Sequence, residues 1–166
     1  MEIAGYLLRE LEREAQTTRR VLERVPSDKL NWKPHEKSMP LGKLAQHVAS
    51  TPGAIATSAI PDSYPVENFK EDPEPTGIEE ILRAHEASMA TAKSFLAGLD
   101  EAKALGPWSM TAGGTPMFTI PRIEWIRIFM LNHWIHHRGQ LSVYLRELNV
   151  PVPYIYGPSA DENSPG

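Results

Sequence analysis

PRIEWIRIFMLNHWIHHRGQLSVYLREL, residues 121–148, reads as one long helix with three histidines near its middle. His133 and His137 are four residues apart, so at about 3.6 residues per turn they sit one above the other. The same step of about 100° per residue puts Ile126, Met130, Gln140, Tyr144 and Leu148 within about a third of a turn of that face. The stripe is otherwise apolar, and an apolar stripe on a helix faces a core. An unpaired buried polar group costs on the order of 1–3 kcal/mol, so the two imidazoles need partners. A metal ion would satisfy them, and so would a buried hydrogen-bond network. His136 points about 60–100° away from the pair and reads as a surface residue or a support for the ligands.

Three further segments carry a helical period. In residues 2–25, Ile3, Leu7, Leu11, Ala15, Thr18, Leu22 and Val25 recur every three or four positions, and Pro26 ends the pattern. A second helix is expected over 39–60. Ser38 is its candidate N-cap, Pro40 stands in the first turn, and Leu41, Leu44, Ala45, Val48 and Thr51 point inward. His47 lies at the edge of that stripe, and Pro52-Gly53 breaks or kinks the helix. A third helix, 77–99, starts at a capping box formed by Thr76 and Glu79. Its stripe includes His85, read as structural because no second candidate ligand stands three or four residues away.

The connections are long. Trp32 in the loop 26–39 packs as a lid over a core edge, or else walls a substrate pocket, and His35 is an exposed loop histidine. Residues 61–76 hold four prolines and five carboxylates and form an irregular, solvated connection. In 100–120, Gly113-Gly114 is a weak hairpin signal. The expected architecture is an all-α four-helix bundle over residues 1–150, with 151–166 as an extended tail laid on the bundle and frayed at its end.

Composition narrows the chemistry. The 166 residues carry 17 Lys+Arg against 21 Asp+Glu, a net charge of −4, and the longest basic run is the pair Arg19-Arg20. No nucleic-acid partner is expected, because a phosphate backbone needs a basic patch. There is no apolar run of about 18 residues, so no membrane span is expected, and a cytoplasmic location is the default. The absence of cysteine excludes disulfides and cysteine-ligated zinc. HExxH is absent, since Trp134, Ile135 and His136 follow His133, and with it the general base of zincin peptidases. Gly-rich phosphate loops and G-x-S-x-G are absent too.

NWKP (31–34), Leu44-Ala45-Gln46-His47, HWIHHRGQL (133–141) and YGPSADE (156–162) together resemble the DinB/YfiT-like family of metalloenzymes, in order and spacing over nearly the whole chain. The resemblance implies a four-helix bundle, often a homodimer, with a divalent metal held by three histidines, here His47, His133 and His137. Zinc or nickel is favoured, with iron, manganese or copper as alternatives, since imidazole suits several of these ions. Gln140 and Tyr144 would support the ligands, Trp32 and Trp134 would line the pocket, and Arg138 and Gly139 would pack. The family name does not imply DNA binding. The expected activity is transfer of a low-molecular-weight thiol to an electrophile, since the relatives that the resemblance implies include bacillithiol S-transferases and mycothiol-dependent isomerases, with the metal lowering the thiol pKa. A metal-dependent hydrolase using metal-bound water is the alternative, and a non-catalytic metal or small-molecule binding bundle is a third reading. A thiol cosubstrate calls for a basic groove, for which Arg122, Arg127 and Lys43 are candidates.

Overall fold

The computed structural model describes residues 3–163. Helices α1 (Ile3–Leu22), α2 (Leu41–Ala59) and α3 (Ile78–Ala97) precede a short α4 (Glu101–Leu105). The last long helix is assembled from α5 (Arg122–Trp125), a π-helical segment (Ile126–Asn132) and α6 (His133–Glu147). α2 packs against α3 on one side and against the π segment and α6 on the other, while α1 packs on α3 and α6. The shared core includes Leu11, Leu22, Leu44, Val48, Ile81, Leu96, Trp134 and Leu141. No helix among the described residues is long and apolar enough to cross a membrane.

The all-α expectation needs correction. A three-stranded sheet occupies parts of the second and third long connections: β1 (Ser63–Pro65) pairs in parallel with β2 (Pro107–Ala112), and β2 pairs antiparallel with β3 (Thr115–Pro121). Gly113 and Gly114 form the two-residue turn of this hairpin, with φ of 53° and 80°. Positive φ at both positions is what a right-twisted hairpin asks of its turn, and glycine adopts it without steric cost. In β2 the alternation of Trp108 and Met110, both buried, with half-buried Ser109 and Thr111 supplies the two-residue period of a strand.

The end of α2 is tied to this sheet. Trp108 Nε1 donates to the carbonyl of Ser58, and Trp125 Nε1 donates to the Ser58 hydroxyl, both at 3.0 Å. Arg122, buried at the start of α5, donates to the carbonyls of Ala59, Pro61 and Lys103 and pairs with Asp62. These contacts satisfy carbonyls that a helix terminus leaves without partners, and the cation matches the negative end of the dipole. Arg122 is therefore committed to the fold and does not line a groove.

Pro52 and Gly53 neither end nor divide α2. Proline at 52 removes the N–H that would bond the carbonyl of Val48. Trp134 Nε1 fills that vacancy, donating to Val48 O at 2.7 Å. The Gly53 N–H turns to Ser88 Oγ at 2.8 Å, and Ser88 Oγ donates in turn to the Ser50 carbonyl at 3.1 Å. A Cβ on Gly53 would lie 2.8 Å from Ser88 Cα, so only glycine lets α3 approach this closely.

The phase of the last helix also differs from expectation. A constant 100° step puts His133 and His137 on the same core stripe as Ile126 and Met130. The buried positions run Ile126, Met130, Leu131, then Trp134, Arg138, Leu141 and Leu145. The π segment holds an extra residue per turn and re-phases the helix. His133 and His137 are thereby rotated out of the core to its half-exposed shoulder, where a cleft can reach them.

Capping differs in detail. Pro40, not Ser38, precedes the first turn of α2. At α3 the Thr76 N–H donates to Glu80 at 2.7 Å, one position beyond the expected Glu79. In the tail, Arg20 pairs with Glu162 and Arg146 with Asp161, while Tyr156 donates to Glu14 at 2.7 Å. The expected fraying of the chain end, like the first residue of the expected helix 2–25, lies outside the described residues.

Candidate metal centre

His47 stands on the shoulder of α2, one residue before the buried Val48. His133 and His137 occupy the first two turns of α6 and flank the buried Trp134. The Trp134–Val48 hydrogen bond therefore joins the immediate neighbours of His133 and His47, and it fixes the separation of the two helices where the imidazoles meet. His47 Nε2 and His133 Nε2 are 3.1 Å apart, and one ligand nitrogen from each of the three residues lies within 4.8 Å of the others. The three rings stand nearly perpendicular to one another, with centroids 4.3–5.3 Å apart.

Burial, followed by the neighbouring His137 and His47, pushes the His133 pKa down to about 4. Burial also lowers His137, against the opposing effect of its hydrogen bond to Gln140. Both are neutral at pH 7, the form that coordinates metals. His137 Nδ1 lies 2.7 Å from Gln140 Oε1, which only accepts, so Nδ1 carries the proton and Nε2 is left with its lone pair. Gln140 Nε2 then donates to His136 Nε2 at 2.9 Å. On His47, Nδ1 faces Asp72 Oδ2 at 3.8 Å, and that oxygen accepts from Ser50 Oγ at 2.8 Å. A carboxylate behind an imidazole orients the ring and raises its basicity toward a metal. Metal–nitrogen bonds of about 2.0–2.1 Å in tetrahedral or octahedral geometry separate neighbouring ligand nitrogens by roughly 2.8–3.4 Å. The His47–His133 pair already has that spacing. The donor set fits one divalent transition metal, and three protein ligands leave positions open for a reactant.

A cavity of about 600 Å³ opens beside His47 and His133. Lys43 and Asp72 lie on its wall, as do Phe69, Met110, Phe118, Trp125 and Phe129. Trp32 and Trp134, both expected as pocket residues, are not part of the lining. Trp134 is fully buried, with its indole spent on Val48. Trp32 covers the core edge, edge-on to Tyr144 with ring centroids 5.7 Å apart. Arg127 is exposed and paired with Glu10, so of the three expected basic residues only Lys43 reaches the cavity.

The remaining histidines separate cleanly. His85 is 3% exposed, packs beside Trp134, and has its pKa lowered chiefly by burial. His35 accepts from the Lys37 N–H in an exposed loop. Arg138 is buried against Glu14 and Thr18, under the ring of Tyr156. Asp72 was not singled out by the sequence: it comes from the acidic loop, 25 positions after His47, and the only signal was the density of carboxylates there.

A curated relative, the uncharacterized protein YrdA of Bacillus subtilis, is 25% identical over 159 residues, covering 95% of this chain and 90% of its own length. Two solved structures share the fold. A DinB-like protein from Bacillus cereus ATCC 10987 is 20% identical with a TM-score of 0.75, covering 93% of this chain and 98% of its own. A DinB-like protein from Bacillus subtilis, YjoA, is 20% identical with a TM-score of 0.72, covering 90% and 97%. The sequence pattern of the DinB family matches residues 1–164, and the chain belongs to that family.

Proposed function

We propose that this protein is a metal-dependent transferase that joins a low-molecular-weight thiol to an electrophile. The observation that carries the reading is the convergence of three imidazole nitrogens, two of them on rings held neutral, at the edge of a largely apolar cavity. In the reaction the thiol sulfur bonds to the electrophilic carbon, the bond from that carbon to its leaving group breaks, and the thiol proton ends on the leaving group. A bound divalent ion supplies the lowered thiol pKa. The chain supplies the rest. Gln140 holds the His137 ring in place, Asp72 sets a negative charge behind the His47 ring, and the apolar walls exclude water from the reacting carbon. The chain has no cysteine, so the thiol comes from a cosubstrate.

Asp72 also favours a second reading, metal-dependent hydrolysis, because hydrolases use a carboxylate as general base. Its place behind the His47 ring, bonded to Ser50, suits orientation of the ligand better than proton abstraction. The test loads the protein with zinc, nickel or manganese and follows consumption of bacillithiol, mycothiol, glutathione or coenzyme A with a reactive electrophile. Metal-dependent consumption that is lost in His133→Ala is expected. Equal rates in both proteins, with metal-dependent ester or amide hydrolysis, would move the assignment to a hydrolase.

A further inference from the structure

The wall of the cavity beside the histidines is mostly hydrocarbon. Met110 and Trp125 form its deep side and are nearly fully buried, with Phe129 bridging Trp125 to His133 at centroid distances of 4.2 and 6.1 Å. Its mouth is also apolar. Of the ten large hydrophobics exposed among the described residues, four line this one cavity: Met39 at 37%, Val66 at 40%, Met117 at 59% and Phe118 at 39%. Scattered apolar residues on a surface mean little, but a cluster around a concave opening marks a binding site. The charged groups of the lining are spent locally. Lys43 pairs with Glu71, Lys70 donates to the Glu67 carbonyl, and Asp72 is engaged with Ser50 and His47. The lining therefore offers little to an ionic ligand body and a great deal to an apolar one.

We propose that the cavity takes the electrophile, and that this electrophile has an aromatic or long-alkyl body with a single polar head directed at His47 and His133. The inference rests on the metal-site reading for the head and on the cavity alone for the body. Thiol cosubstrates of the kinds named above are strongly polar and do not match such walls. They would approach the open face of the histidine cluster from solvent. A volume of about 600 Å³ lies within the range of small-molecule sites.

Two ligand series separate the body from the head. The first is straight-chain alcohols, butanol to octanol, titrated into metal-free protein. The second is straight-chain hydroxamates, acetohydroxamate to octanohydroxamate, titrated into protein with and without zinc. Each methylene that enters the cavity is expected to tighten binding about fourfold in both series, until the cavity is filled. Zinc is expected to tighten every hydroxamate and no alcohol. Val66→Glu and Met117→Glu change exposed side chains, so the fold should be kept. They are expected to flatten the chain-length dependence while leaving zinc-dependent acetohydroxamate binding in place. Chain-length dependence in both series without any effect of zinc would leave the apolar site standing and remove the metal reading. Zinc-dependent hydroxamate binding with no chain-length dependence would keep the metal and overturn the inference. Absence of chain-length dependence in both series would overturn it as well.

Discussion

Replacing Trp134 by Phe removes one hydrogen-bond donor from the contact that holds α2 against α6. The acceptor, Val48 O, has no intrahelical N–H from Pro52, and Val48 is fully buried. A buried carbonyl left without a partner costs about 1–3 kcal/mol. For a chain of this length each kcal/mol lowers the melting temperature by roughly 2–4 °C, so Trp134→Phe is expected to lower it by about 2–12 °C. Pro52→Ala restores a backbone N–H at the position that normally bonds Val48 O. In the Trp134→Phe background it is expected to recover about 1 kcal/mol or more. In the wild type it has little to recover, because the indole already serves the carbonyl. Urea denaturation of the four proteins gives the coupling energy directly. The same contact sets the spacing of His47 and His133, so Trp134→Phe should also weaken zinc binding, measured by chelator competition at a temperature where the variant is fully folded. Additive effects of the two substitutions would show that the indole does not replace the missing helical donor, and the reasoning would fail.

Gly53→Ala places a methyl 2.8 Å from Ser88 Cα and should cost about 1–3 kcal/mol by forcing α2 from α3; an unchanged urea midpoint would contradict that close approach. Leu44, 1% exposed, does not tolerate a charge, so Leu44→Asp is expected to abolish cooperative melting, as judged by circular dichroism. Any one of His47→Ala, His133→Ala and His137→Ala should reduce zinc affinity at least tenfold, and Asp72→Asn about tenfold, in chelator competition; normal affinity in His137→Ala would refute the ligand set. In the metal-free protein, His133 titrates near 4 when folded and near 6.5 when unfolded, while burial also lowers His137 and His85. Between those values the unfolded state binds more protons, so stability is complete above about pH 6.5 and falls as pH drops toward 4. A melting temperature that rises over that interval would reverse the assigned direction.

The four long helices were legible because each carries a sustained helical period, and their observed ends lie within a few residues of the expected ones. The phase of the last helix was not. A helical wheel assumes one pitch throughout, and Arg138, a charged residue in the buried stripe, hides the true face. The hairpin left a faint trace in W-S-M-T before Gly-Gly, too short to stand against the loop-forming composition around it. The histidines of the cluster could be named because two stand at helical spacing, and the third through family resemblance. Asp72 could not be named, because its relation to His47 exists only once the acidic loop folds back over α2. Trp134 stands beside a candidate ligand in the chain, which suggests a pocket wall, yet adjacent helical residues point about 100° apart.

The π-helical stretch Ile126–Asn132 makes the chain unevenly tolerant of length change. A residue gained or lost in the exposed loop around His35 shifts only a connection. One residue lost within 126–132 would let the stretch wind at the ordinary pitch: the step of about 100° that goes with the residue is made up by the tighter winding, and everything after it keeps its orientation to the Trp125 anchor. His133 and His137 would still face the cleft, whereas one residue lost from the regular turn between them would swing His137 about 100° out of line with His133. In evolutionary terms the wide turn is a place where this helix can shed a codon without disturbing the histidine cluster that follows it.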